Sequence, residues 1–321
     1  MTTGFDRVSR SVLLVFVGFF AGLPIAMAET ADEHYASGER AVRQGKLADA
    51  DKAFREVVRI DPKDARGHYG VGYVLYRRGR HREAILSFDR SRRLDPKNVK
   101  TLRKLGSAHA KIGEFDKASK FLESALKIDP NDIVARKNYA SVLREHGRFD
   151  DSRRELDRVI KQNPKYAAAF HALGLLEARS GRLEQALDAY ERTISLDPQH
   201  VDAHNQAGVI MARSGHLGAA AKWFERAIEI DSRYATAKYN LGGVYQRLGK
   251  DSRAIEQFER VLKLDRRHLG AHRKILPLYR KVGRNEDATR VEARYRELRA
   301  RLRATQAKRP RRVLGGTSRN P

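Results

Sequence analysis

Eight glycines recur at a single interval of 34 residues: Gly45, Gly79, Gly113, Gly147, Gly181, Gly215, Gly249 and Gly283. Pro62, Pro96, Pro130, Pro164 and Pro198 keep the same interval, and Asp61, Asp95, Asp129, Asn163, Asp197, Asp231 and Asp265 carry it two units further. A fixed period of this length belongs to repeat architectures, in which each repeat is one supersecondary unit stacked on its neighbours. Numbered from residue 31, every one of these glycines falls at position 15. Position 20 holds Ala50, Ala84, Ala118, Ser152, Ala186, Ala220, Ala254 and Ala288. Position 24 holds Phe54, Phe88, Leu122, Leu156, Tyr190, Phe224, Phe258 and Glu292. Position 8 holds Gly38, Gly72, Gly106, Ala140, Gly174, Gly208, Gly242 and Leu276.

The pattern describes a helical hairpin. Glycine at position 15 ends a first helix, because it takes the left-handed cap conformation without strain. Small residues at positions 8 and 20 let two helices approach closely, and the large residue at 24 fills the space beside them. Proline at 32 stops the second helix and pushes the residue before it out of the helical region. A chain that is 41% hydrophobic with only nine prolines supports helix throughout. No unit of this size buries its own apolar face, so neighbours must stack.

The period together with these positions resembles the tetratricopeptide repeat family over residues 31–302. The resemblance implies an all-α, right-handed α-solenoid of eight 34-residue helix-turn-helix units: 31–64, 65–98, 99–132, 133–166, 167–200, 201–234, 235–268 and 269–302. The last unit reads as a cap. Glu292 replaces its large apolar residue, while Val291, Tyr295, Leu298 and Leu302 keep a stripe that docks it backward. His34, His68, His204 and His272 stand at position 4, where the family usually has a large aromatic. The fourth unit departs most in the interior, with Ala140, Ser152, Gln162 and Asn163.

The ends of the chain differ from the repeats. Arg7 and Arg10 precede an apolar run from Val12 to Phe20, and Ala26, Met27 and Ala28 form a small-x-small pattern before Glu29. Residues 1–28 therefore read as a cleavable signal peptide, with an uncleaved anchor as the alternative. Either way, positive charge before the run and acids after it send the rest outward, so a periplasmic or secreted location is expected. The solenoid domain is taken as 29–304. Residues 305–321, with Lys308, Arg309, Arg311 and Arg312, read as a flexible basic tail. Membrane contact is expected only through the signal segment or this tail.

The net charge of +25 favours acidic partners. In the family that the repeats resemble, positions 2, 5, 9, 12 and 13 of the first helix usually point into a concave groove. Carried over, position 13 holds Arg43, Arg77, Lys111, Arg179, Arg213, Arg247 and Lys281, broken only by Glu145. Cations at helix C-termini also complement the helix dipole, so this ladder has a structural reading as well. A denser patch lies in units two to four. Tyr69, Tyr73 and Tyr76 share one helix with Arg77, followed by Lys100, Arg103, Lys104 and Lys111, then Lys137, Asn138 and Arg144. Aromatics interleaved with cations stack on planar ligands and hold anions. The competing reading is that the tyrosines pack between helices.

Some members of the family grip a C-terminal carboxylate with a set of Lys and Asn residues spread over three units. Arg103 and Asn138 come nearest to it here, but Ser107, Ala168 and Ala172 replace the other members, which disfavours that mode. The pairs His200/His204 and His268/His272 have i, i+4 spacing but no clear third ligand, so no metal is expected. The chain has no cysteine, which excludes disulfides, thiol nucleophiles, cysteine zinc sites and a lipid-bearing cysteine. No phosphate loop, nucleophile elbow or paired carboxylates stand out, so neither enzyme activity nor a cofactor is expected. Export argues against nucleic acid. The expected function is an exported adaptor for acidic protein partners in an envelope assembly of the polysaccharide-export, pilus or outer-membrane-biogenesis kind. Capture of an acidic polysaccharide in the groove is the alternative.

Overall fold

The computed structural model describes residues 29–307. The signal segment read at 1–28 and the chain beyond 307 lie outside the described residues. The described residues form sixteen helices and no strand. They pair as α1 (Ala31–Arg43) with α2 (Leu47–Ile60), α3 (Ala65–Arg77) with α4 (His81–Leu94), α5 (Val99–Lys111) with α6 (Phe115–Ile128), and α7 (Ile133–Glu145) with α8 (Phe149–Gln162). The scheme continues in α9 (Ala167–Arg179) with α10 (Leu183–Leu196), α11 (Val201–Arg213) with α12 (Leu217–Ile230), α13 (Ala235–Arg247) with α14 (Asp251–Leu264), and α15 (Leu269–Lys281) with α16 (Asn285–Ala307). First helices occupy positions 1–13 and second helices start at position 17. α16 runs on to Ala307, three residues into the stretch assigned to the tail.

Each turn between paired helices has the same hydrogen bonds. In the first unit the Gly45 N–H donates to Val42 O (3.0 Å) and the Lys46 N–H to Ala41 O (2.9 Å). Together these close a Schellman motif, whose C′ residue must be left-handed. All eight glycines at position 15 comply, with φ between +70° and +84°.

The helices of a hairpin meet where side chains are smallest. Ala50, Ala84, Ala118, Ala186, Ala220 and Ala254 are fully buried, as are Phe88 and Phe258. A Cβ added to Gly242 would lie 2.8 Å from the Phe258 ring, so the large residue at 24 occupies the room that glycine leaves at 8. The fourth unit adds hydrogen bonds to its apolar packing. The buried Ser152 Oγ donates to Ala140 O (2.7 Å), and Gln162 Nε2 reaches Asn131 O (2.8 Å). Glu177, 1% exposed, is held between Arg153 and Arg182.

Every helix packs on its sequence neighbours, and odd-numbered helices also touch the next odd one, α1 with α3, α3 with α5, α5 with α7 and α7 with α9. A stack whose one layer is more closely spaced curves toward that layer. The first helices therefore line the inner face. No helix among the described residues is long and apolar enough to cross a membrane.

Candidate functional site

Three of the helices on the inner face carry the predicted patch. Tyr69 and Tyr73 stack on α3 with ring centroids 6.4 Å apart. The packing reading also holds for part of this set, since the Tyr69 ring leans on Phe88 at 5.7 Å and Tyr76 on His81 at 5.1 Å. Burial pushes the Tyr69 hydroxyl up to about 12. Arg77 donates to the Tyr73 hydroxyl (2.9 Å). From α5, the Lys104 ammonium lies over two rings, 4.9 Å from that of Tyr73 and 5.3 Å from that of Tyr76.

The cations of the patch divide into two groups. Arg103 is bound to Asp132 (2.8 Å), the side-chain N-cap of α7. Arg144 is paired with Glu145 (2.8 Å), which also takes Arg179 (2.6 Å). Lys100, Lys104, Lys111 and Lys137 form no ion pair among the described residues. Lys104 and Lys137 are partly buried, and burial lowers the pKa of each. Like charge adds to the effect, from Arg103 and Arg77 at Lys104 and from Arg144 at Lys137. Asn138 Nδ2 donates to Ser107 Oγ (3.4 Å).

Two cavities flank the Lys104–tyrosine stack. One, of about 560 Å³, takes in Tyr69, Tyr73, Lys100, Arg103 and Lys104. The other, of about 420 Å³, takes in Tyr76, Lys111, Asn138 and Arg144. Arg77 and Lys137 line neither. The first cavity extends into the first unit through Tyr35, Glu39 and Phe54, which the sequence reading left out. The signal was present, since Tyr35 and Glu39 hold positions 5 and 9, the register of Tyr69 and Tyr73.

The position-13 ladder is partly occupied within the chain. Arg247 donates to Ala212 O (2.6 Å), Lys281 pairs with Asp251, and Glu145 neutralises Arg179. The histidines at position 4 have a structural task. His68, His204 and His272 place Nε2 at 3.0–3.1 Å from the carbonyl at position 32 of the preceding unit, and Arg136 does the same to Pro130 O (2.6 Å). His200 and His268 accept backbone N–H bonds through Nδ1 as N-caps (3.2 and 3.0 Å). Each i, i+4 histidine pair is thus engaged in holding a helix start. Among the described residues no group of three or more His, Asp or Glu is placed to hold a metal ion.

Profiles described as tetratricopeptide repeat match residues 35–99, 140–199 and 171–235, with related profiles at 75–132 and 235–268. A comparison with curated proteins found no significant match. Solved structures share the fold at low identity. A tetratricopeptide repeat protein from Parabacteroides merdae is 17% identical, with a TM-score of 0.62 over 76% of this chain and 97% of its own. The human IFIT1 dimer with m7Gppp-AAAA is 16% identical, with a TM-score of 0.62 over 85% of this chain and 73% of its own. Cut9–Hcn1, an APC/C hetero-tetramer, is 16% identical, with a TM-score of 0.60 over 83% of this chain and 53% of its own. Tetratricopeptide repeats are scaffolds for protein–protein interaction and are generally without enzymatic activity. The matched segments together span most of the chain, and it belongs to the tetratricopeptide repeat family.

Proposed function

We propose that this protein is an exported, non-catalytic scaffold that holds an acidic protein partner on the inner face of its first four units, as part of an envelope assembly. One observation carries the reading. Lys104 and Lys137 are partly desolvated and pushed toward the neutral form, yet no carboxylate among the described residues pairs with them. A desolvated cation is costly unless it is paired. An acidic ligand supplies the missing charge, and the +25 net charge draws such ligands in. Export rests on the charged, apolar and small-residue order of residues 1–28.

The groove is tested with a fluorescent polyglutamate peptide. Reversing Lys104 and Lys137 to Glu should abolish its binding. Reversing Lys222 and Arg226, exposed on α12, makes the same change in net charge and should only weaken it. Equal loss from both pairs refutes the groove. An acidic polysaccharide or an oligonucleotide run in parallel tests the other polyanions, the second because the IFIT1 neighbour was solved with m7Gppp-AAAA. Either one binding more tightly than the peptide, with the same Lys104 and Lys137 dependence, replaces the protein partner. Mass spectrometry of the secreted or periplasmic protein tests export, with Glu29 as the expected N-terminus.

A further inference from the structure

Position 6 of the first helix holds glycine in one unit alone. It is Gly70 in the second, against Ala36, Lys104, Asn138, Ala172, Gln206, Asn240 and Lys274 elsewhere. A Cβ at Gly70 would come within 2.3 Å of the Phe54 ring, so no side chain rises from α3 at this level. The cavity of about 560 Å³ opens there, with Phe54 and Gly70 both in its wall. Its remaining wall combines the rings of Tyr35, Tyr69 and Tyr73 with five cations and one acid, Glu39. Tyr35 meets Phe54 at 5.7 Å, and Tyr69 and Tyr73 stand opposite each other's helix turn at 6.4 Å. Cations already cover two of these rings, Arg66 at 5.2 Å over Tyr35 and Lys104 at 4.9 Å over Tyr73. Glu39 also lines the cavity, beside the Tyr35 hydroxyl, and forms no ion pair among the described residues.

We propose that this recess takes the aromatic side chain of an extended acidic peptide, whose neighbouring carboxylates meet Lys104 and Lys100. The inference rests on the groove reading above and narrows it. A ring entering a wall of tyrosines gains offset or edge-to-face contacts beyond simple burial. The volume lies within the usual 300–1,000 Å³ of ligand pockets and admits a large side chain together with its flanking backbone. The apolar end, between Phe54 and the tyrosines, suits an uncharged ring, and the acids meet Lys100 and Lys104 in the same wall. A polymer of uronic acids carries a carboxylate on every ring and offers no uncharged aromatic group to that end. The observations therefore favour a peptide over an acidic polysaccharide.

The test uses the full chain and fluorescein-labelled polyglutamate peptides that differ only at a central residue, Trp, Phe, Ala or Glu, read by anisotropy. Trp and Phe should bind about tenfold more tightly than Ala, which corresponds to about 1.4 kcal/mol. Tyr35→Leu should erase that ratio while leaving the Ala peptide unchanged, and Lys104→Met should weaken all four. Because Tyr35 packs on Phe54, a second variant probes the recess without removing a ring. Glu39→Gln should tighten all four peptides alike and leave the Trp-to-Ala ratio in place, and a ratio lost with every ring present would overturn the recess. If Trp, Ala and Glu peptides bind alike and respond only to Lys104→Met, the aromatic recess is overturned and the acidic groove stands. If no peptide binds, or binding ignores Lys104→Met, both readings fall. If alginate displaces the Trp peptide more effectively than free polyglutamate does, the recess belongs to a sugar and the peptide proposal is overturned.

Discussion

The pairing of positions 8 and 24 gives a quantitative test of how these hairpins close. In the seventh unit, Gly242→Ala would place a Cβ 2.8 Å from Cε1 and 3.0 Å from Cδ1 of Phe258, a ring that is fully buried. Replacing a helical glycine by alanine is intrinsically favourable by about 0.5–1 kcal/mol. Overpacking a close-packed core costs about 1–3 kcal/mol. The second effect should win, for a net loss of about 1 kcal/mol. The fourth unit shows the escape, because there Ala140 faces Leu156 and both are buried. Phe258→Leu alone leaves space and should cost about 1–2 kcal/mol, well short of the roughly 3–5 kcal/mol of truncation to alanine. Combined with Gly242→Ala it should cost less than the sum of the two single changes, with a coupling of about 1 kcal/mol between contacting residues. Long repeat arrays do not always unfold in one step. The assay should therefore be local, a urea titration followed by Trp223, the chain's one tryptophan, on α12 beside α13. Strict additivity, or a Gly242→Ala variant as stable as the parent, would show that the ring does not hold glycine at position 8.

Three further outcomes follow from other parts of the structure. Gly113→Ala puts a Cβ into a left-handed residue at φ +79° with open space around it, so urea titration should show a loss of about 1–2 kcal/mol from backbone strain alone. Glu177→Ala leaves Arg153 and Arg182 without their buried partner, and because both arginines remain partly exposed the loss should be about 3 kcal/mol at most, read in the same titration. Lys104→Met should stabilise the free protein while weakening acidic ligands. The folded pKa of Lys104 lies below its unfolded value, so its destabilisation is fully present below the folded pKa and is relieved as pH rises toward the unfolded pKa. The stability difference between Lys104→Met and parent should accordingly shrink toward pH 10, and a difference constant with pH would refute the assignment.

The fold was legible because its determinants are local and repeated eight times. Gly45 and its equivalents mark a backbone conformation that other residues resist, and Gly38 and Phe54 mark a contact whose partners are 16 residues apart in one register. The groove was only partly legible. Its register was readable, and it brings Tyr69, Tyr73 and Lys104 together as expected. What a register does not show is which cations are already spent. Arg103 and Lys104 are adjacent in sequence, yet Arg103 is bound to the N-cap of α7 and Lys104 is not paired at all. That distinction depends on Asp132, 29 residues away, and on how far α5 and α7 are rotated against each other. The i, i+4 histidine pairs have a task that their spacing does not show. A helix-start pair at i, i+4 resembles a metal motif in sequence, but the carbonyl of Pro198 and the Ala203 N–H occupy the ring nitrogens His204 Nε2 and His200 Nδ1.

The inner face also differs between the two halves of the chain, in a way that bears on where a ligand sits. In the fifth to seventh units several of its polar groups satisfy one another, although Arg213 and the buried Lys238 form no ion pair among the described residues. Asp202 accepts from the Tyr234 hydroxyl and pairs with His171 Nε2, each at 2.9 Å, and Asn240 donates to Asn205 (2.9 Å). Positions 6 and 9 of the fifth and seventh units add Ala172, Leu175, Asn240 and Gly243, none of them charged. The second to fourth units leave four lysines unpaired across the same face, beside rings that already hold one of them by cation–π contact. The stacking positions 8, 15, 20 and 24 are almost constant along the solenoid, so they contribute nothing to this asymmetry. It resides in positions that the fold leaves free to vary. Lys238 shows that a buried lysine without an ion pair also occurs in the seventh unit, so what sets the second to fourth units apart is the clustering of Lys104 and Lys137 with two exposed lysines on one face. Their persistence there is understandable if that face is completed by an acidic ligand.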